Sequence, residues 1–193
     1  MAGTNANEIR VAGTGRILVA PVGATAPADV TTAWAAEWRD LGYTSQDGIK
    51  LAKKDKLDPV ETWQSVSPAR FIYSDRDLTV KFQLLQLNED TLPFFMGGDA
   101  VAETAANSGV YKYDLSADPK FNEKALGIEF KDGGDVTYRF LVARGQVTET
   151  EELSLTRTAS IKLGVTFTAL AVDNTKPLAT FLMKDPSYSA VAS

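Results

Sequence analysis

The sequence contains neither cysteine nor histidine. Without cysteine there are no disulfides, thiolate nucleophiles, iron–sulfur clusters or cysteine-type zinc sites. Without histidine the commonest general base, the usual transition-metal ligand and the pH switch near neutrality are lost together. Positive charge is also in the minority. The 25 acidic and 20 basic residues leave a formal net charge of -5, which argues against a protein whose task is to grip phosphate backbones. It does not argue against a surface past which DNA slides, because sliding requires avoiding the attraction that a basic groove supplies. Long apolar runs are missing as well. No stretch approaches the ~20 apolar residues that span a bilayer, and Met1 to Asn7 lacks the basic start and apolar core of a secretory signal. The expectation is a chain kept in solution, with no membrane partner, no cofactor and no metal.

What is present is ordinary globular material: 193 residues, 44% hydrophobic and 23% charged, enough for one substantial core. We expect a single β-domain over residues 15–183, between flexible arms at 1–14 and 184–193. The run from Gly15 to Val22 reads as a short strand closed by Pro21. Residues 23–36, rich in Ala, Thr and Pro, fit a loop or a short helix around Thr31 to Trp38. Leu41 to Ser45 and Ile49 to Leu51, flanking Gln46-Asp47-Gly48, read as a hairpin. Ala52 to Pro59 is a charged, proline-broken polar excursion that leads to a β-like segment with Val60, Thr62 and Trp63.

Leu78 to Leu84 alternates apolar and polar at period two, the mark of a strand with one buried face. Asn88 is placed to cap a short helix from Glu89 to Met96, ended by Gly97-Gly98 and made irregular by Pro93. Residues 99–119 read as a surface connection with one edge strand near Tyr111 and Tyr113. Leu126 to Phe130 and Val136 to Val142, joined at Asp132-Gly133-Gly134-Asp135, form the clearest hairpin. Gln146 to Arg157 alternates again, and Ile161 to Ala169 reads as the final long strand of a β-meander. The fold class expected is mainly β: a β-sandwich or split barrel of two antiparallel sheets with one short flanking α-helix.

The chemical motifs fail one by one. Gly13-Thr14-Gly15 begins like a dinucleotide fingerprint but lacks the third glycine and leads into a strand, not a helix. Asp114 to Asp118 alternates oxygen ligands as a calcium loop does, yet Pro119 and Ala125 stand where glycine and a bidentate glutamate are needed. No G-x-S-x-G elbow and no phosphate-cradling Gly-Lys-Ser/Thr occurs. Glu149, Glu151 and Glu152 are the densest carboxylates. Period two puts Glu149 and Glu151 on one face and Glu152 on the other, which suits a solvated strand better than a hydrolytic pair. Trp34, Trp38 and Trp63 are able to stack sugars, but scattered aromatics in a β-protein more often fill a core or an interface. Trp38, Trp63, Phe82, Phe94 and Phe95 are the core or interface aromatics expected here.

The ordered pieces Gly15-Arg16-Ile17-Leu18-Val19-Ala20-Pro21-Val22-Gly23, Trp38 to Gly48 and Thr62-Trp63-Gln64, with the Leu78 to Leu87 strand and the short helix ending at Gly97-Gly98, resemble the major tail tube proteins of long, non-contractile-tailed phages, especially those of actinobacterial hosts. Coverage is roughly Gly15 to Ala171. The resemblance implies six-subunit rings stacked into a tube, with lumen strands of neighbouring copies joined into one barrel. It implies the chain itself as partner, with the tape measure protein and DNA in the lumen and tail terminator and tail tip proteins at the ends. It also implies a place in the virion tail after assembly in the host cytoplasm. Unpaired strand edges, which aggregate unless covered, agree with this. Lys50, Lys53, Lys54, Asp55, Lys56 and Asp58 are then the expected inter-ring contact loop. Glu149 and Glu151 are the expected lumen carboxylates, in rings carrying about -30 charges that hold DNA off the wall. The competing readings are another virion part (tail completion, contractile-type tube or capsid decoration), a carbohydrate-binding module and, weakest, a hydrolase built on Glu149 and Glu151.

Overall fold

The computed structural model describes residues 3–118 and 122–188. Among these residues ten strands lie in the order β1 (Thr14–Pro21), β2 (Arg39–Asp40), β3 (Lys50–Thr62), β4 (Ser65–Leu84), β5 (Ala102–Glu103), β6 (Tyr111–Lys112), β7 (Lys124–Asp132), β8 (Val136–Thr150), β9 (Leu163–Ala169) and β10 (Thr180–Lys184). One short helix, α1 (Thr91–Met96), follows β4, and a 3-10 turn covers Ala6–Glu8. The protein is mainly β, with a large antiparallel sheet ordered β2-β1-β7-β8-β9-β4-β3, β10 added to β8, and a small second sheet of β5 and β6.

The large sheet folds over on itself because β8 serves two neighbours along one edge. Its first half pairs with β10, from Leu141↔Thr180 to Thr137↔Lys184. Its second half pairs with β9, from Gly145↔Ala169 to Thr150↔Val165. Gly145 sits at the joint. A Cβ there would meet the Phe167 ring at 2.4 Å and the Thr168 carbonyl oxygen at 2.5 Å, so only glycine lets the two layers approach this closely.

Period-two alternation then supplies one core. Ile17 and Val19 of β1, Leu126 and Ile128 of β7, and Phe140 and Val142 of β8 face Val80, Phe82 and Leu84 of β4 and Leu163, Val165 and Phe167 of β9. Phe94 and Phe95 of α1 close one end, with Phe94 stacked between Phe82 and Phe167. The segment from Arg39 to Ser45 bridges the two layers: Leu18 and Val19 pair with Asp40 and Arg39, Leu41 N–H donates to the Ile17 carbonyl, and Ser45 N–H donates to the Gln83 carbonyl.

Several expectations need correcting. Residues 41–45 and 49–51 do not form a hairpin with each other. Thr44 bridges Leu84 and Lys50 pairs with Lys81, so both flanks run along β4, and the Ser45–Gly48 turn is a loop extruded from that edge, with Gly48 at φ 68°. The polar excursion Ala52–Pro59 is not a loop but most of β3, and Pro59 is accommodated because β3 is an edge strand. The expected strands at 136–142 and from 146 are one continuous β8, which ends at Thr150, not Arg157. The connection 99–118 holds a miniature two-stranded sheet in place of a single edge strand. Ile161–Ala169 is not the last strand, since β10 follows.

Helix α1 starts two residues later than expected. Asn88 Oδ1 accepts from the Asp90 and Thr91 N–H groups at 3.0 and 2.9 Å, capping the turn ahead of it, and Pro93 falls within the first turn, where a missing N–H costs nothing. Residues 23–38, left open between loop and helix, form an irregular strap across the outer face of β1, β7 and β8, over a second small core of Leu18, Ala20, Trp38, Ala125 and Leu141.

Candidate assembly surfaces

The first surface is the polar outer face of β4, β9 and the second half of β8. With Val80, Phe82 and Leu84 turned inward, Thr79, Lys81 and Gln83 must face out, and on β9 the same alternation turns Thr166 and Thr168 out. A bulge between Val147 and Glu149 brings Thr148 and Glu149 to this face together. Thr148 Oγ1 lies 2.8 Å from Thr168 Oγ1, while Glu149 Oε2 is 3.4 Å from Thr166 Oγ1 and 3.9 Å from Lys81 Nζ. Glu151 joins them just past the strand end: its N–H donates to the Gly164 carbonyl at 2.8 Å, and its Oε2 accepts from Gln83 Nε2 at 2.7 Å. Glu149 and Glu151 therefore share one exposed side of the sheet.

The second surface is an arm. From Lys50 to Asp77 no residue is buried, yet β3 and β4 remain paired almost to the tip, where Thr62 meets Ser65. Lys50, Lys53, Lys54, Asp55, Lys56 and Asp58 all lie along β3. Asp55 is the hub of their charges, bonded to Arg76 Nε across the ladder at 2.7 Å and to Lys53 Nζ at 2.7 Å. Those hydrogen bonds from Arg76 and Lys53 hold its carboxyl below the usual carboxylate range. Solvent screens such exposed pairs strongly, so they shape the arm more than they stabilise it.

The expected aromatics divide between these regions. Trp38, Phe82, Phe94 and Phe95 are buried, whereas Trp63 at the arm tip is 99% exposed. Trp34 and Trp38 meet edge to face at 4.9 Å under the strap, so the three tryptophans form no common sugar-stacking platform.

Sequence reasoning missed three features. Residues 65–77, with exposed Val66, Phe71, Ile72 and Tyr73, form the second strand of the arm; their β-branched and aromatic content was the available signal. The strap is held by a buried ion pair, Arg139 Nε to Glu129 Oε2 at 2.6 Å. Arg139 also donates to the Asp29 and Thr32 carbonyls at 2.7 and 2.6 Å and lies over the Trp34 ring. Burial pushes the Glu129 carboxyl up, but the Trp34 indole N–H, Arg139 and Arg16 more than offset it and leave it below its ordinary value. Last, Asp185 is clasped by Arg10 at 2.6 Å and by the Tyr138 hydroxyl. The Arg10 bond, foremost, draws its carboxyl far down. No sequence pattern announces such long-range pairs. The expected arms, 1–14 and 184–193, fall partly outside the described residues.

Two of the ladder edges left open among the described residues lie at the two ends of one four-strand run. β3 pairs on one side only, with β4. On β8, pairing with β7 stops at Gly145↔Lys124, so Gln146–Thr150 are covered by β9 on one side and free on the other. Along β3-β4-β9-β8 the sheet thus has a polar outer face and an unpaired edge at each end. Among the described residues no group of three or more Asp or Glu is arranged to hold a metal ion, and no helix is long and apolar enough to cross a membrane.

The family model described as phage tail tube protein matches residues 2–192. No curated protein matches the chain.

Proposed function

Because this chain belongs to the phage tail tube protein family, a non-enzymatic structural component of the virion tail that self-assembles into a tube, we propose that it builds the tube of a long, non-contractile tail as stacked six-membered rings through which DNA is ejected. The observation that carries this reading is the four-strand run with two open edges. An edge row of unpaired N–H and C=O groups is a template for another chain, and when the two edges of one sheet are satisfied head to tail around a rotation axis, the result is a closed ring. The seam joins β3 of one copy to Gln146–Thr150 of the next. The polar face with Thr79, Lys81, Thr168, Glu149 and Glu151 then turns toward the lumen, where the tape measure protein and later DNA reside.

The arm carrying Lys50, Lys53, Lys54, Asp55, Lys56 and Asp58 projects out of the body and reaches the adjacent ring. Tail terminator and tail tip proteins cap the ends, and assembly takes place in the host cytoplasm. Electron microscopy of the purified chain at rising concentration tests the assembly, with uniform hollow filaments as the expected outcome. Replacing Glu149 and Glu151 with lysine leaves the tubes intact and retards DNA ejection; ejection at the unaltered rate would remove the lumen assignment.

A further inference from the structure

The folded-over sheet is closed at one end by the Arg39–Ser45 bridge and open at the other. There the edge of β1 not paired with β7 is uncovered from Thr14 to Arg16, since β2 spans only two residues, and the space between β1 and the start of β3 is an apolar groove of about 470 Å³. Ile17, Ile128 and Phe140, all core residues, form its floor, and Ile49, Leu51 and Phe181 its sides. Leu51 and Phe181 are 45% and 48% exposed, so the groove is a place where the core meets water.

The arm tip is the complementary object. Trp63 and Val66 are fully exposed, and between Val60 and Ala69 Glu61 is the sole charge. The β3–β4 ladder carries the tip away from its own groove by about 40 Å, twelve residues at strand rise, so the tip of one copy can fill only the groove of another. We propose that Trp63, flanked by Val66, seats in the groove of a neighbouring copy. A large, rigid aromatic in a desolvated pocket is the type of contact that dominates interface energy. Each copy carries one tip and one groove, so the contact is head to tail and propagates. This rests on the tube-forming reading above and adds to it the anchor and its receptor.

The absence of cysteine makes the test direct. Full-length chain with Trp63→Cys and Leu51→Cys is assembled and then treated with a short bis-thiol cross-linker. The expected result is loss of the monomer band into a ladder of many copies, while either single variant stays largely monomeric on a denaturing gel. Tubes that form normally yet give no ladder overturn the proposal, as does Trp63→Cys alone yielding dimers as efficiently as the double variant. Cross-linking of Leu51→Cys to Ile9→Cys in place of Trp63→Cys would make the amino-terminal segment the occupant. The unaltered protein provides a second readout: on assembly, acrylamide quenching of Trp63 falls and the emission moves to the blue. Unchanged quenching in well-formed tubes refutes the docking alone, whereas failure of the unaltered chain to form tubes refutes the tube reading and the docking with it.

Discussion

The body and the arm are built from the same antiparallel ladder, and one strand, β4, belongs to both. Its last seven residues alternate into the core at Leu78, Val80, Phe82 and Leu84, while its first thirteen bury nothing. Backbone hydrogen bonding is alike in the two regions, so it sets their shape and not the difference in their stability. Burial makes that difference. Each core side chain removed from water contributes about 1.5–3 kcal/mol, whereas a two-stranded ribbon alone is marginal in water. The arm persists as an extension of the body's register, aided by cross-strand pairs such as Asp55 with Arg76. What it keeps exposed, Trp63, Phe71 and Tyr73 among others, is spare apolar surface of the kind that marks protein–protein contact.

The largest effect is expected in the body. Phe167→Ala removes a ring with no exposure at all and lowers monomer stability by about 3–5 kcal/mol, read as a shift of the urea midpoint. A smaller loss follows at the joint between layers. Gly145→Ala forces a methyl against Phe167 and the Thr168 carbonyl and costs about 1–3 kcal/mol, measured in the same way. The smallest belongs to the arm: Phe71→Ser changes monomer stability by no more than about 0.5 kcal/mol. A loss at Phe71 comparable with that at Phe167 would erase the distinction between the two regions.

The same distinction decides what was legible in the sequence. The inner end of β4 has one buried face, so its period-two pattern was visible, whereas β1 and β7, buried on both faces, were legible as short apolar runs bounded by proline or turn residues. β3 has no buried face, and Lys53 to Asp58 therefore read as a charged excursion although they form a strand. The Asp47-Gly48 turn was recognised correctly as a turn, but turn chemistry is the same whether its flanks pair with each other or both pair with a third strand. β8 read as two separate strands, 136–142 and from 146, because its side chains change partners where it passes from one layer to the other at Gly145. At the candidate surfaces, the shared side of Glu149 and Glu151 could be read from spacing, because the bulge at Thr148 falls before both of them. The clasp between Arg10 and Asp185 and the strap's ion pair join residues far apart in the chain, which no local pattern reports.

The passage of β8 through both layers has a mechanical outcome. Its early residues hold β7 and β10, and its late residues hold β9, so neither layer can separate without extracting a strand from the other. Local opening of this kind is usually the cheapest fluctuation available to a layered protein. Here it is coupled to global unfolding, and amide hydrogens in the middle of β8 exchange with solvent only when the whole molecule unfolds.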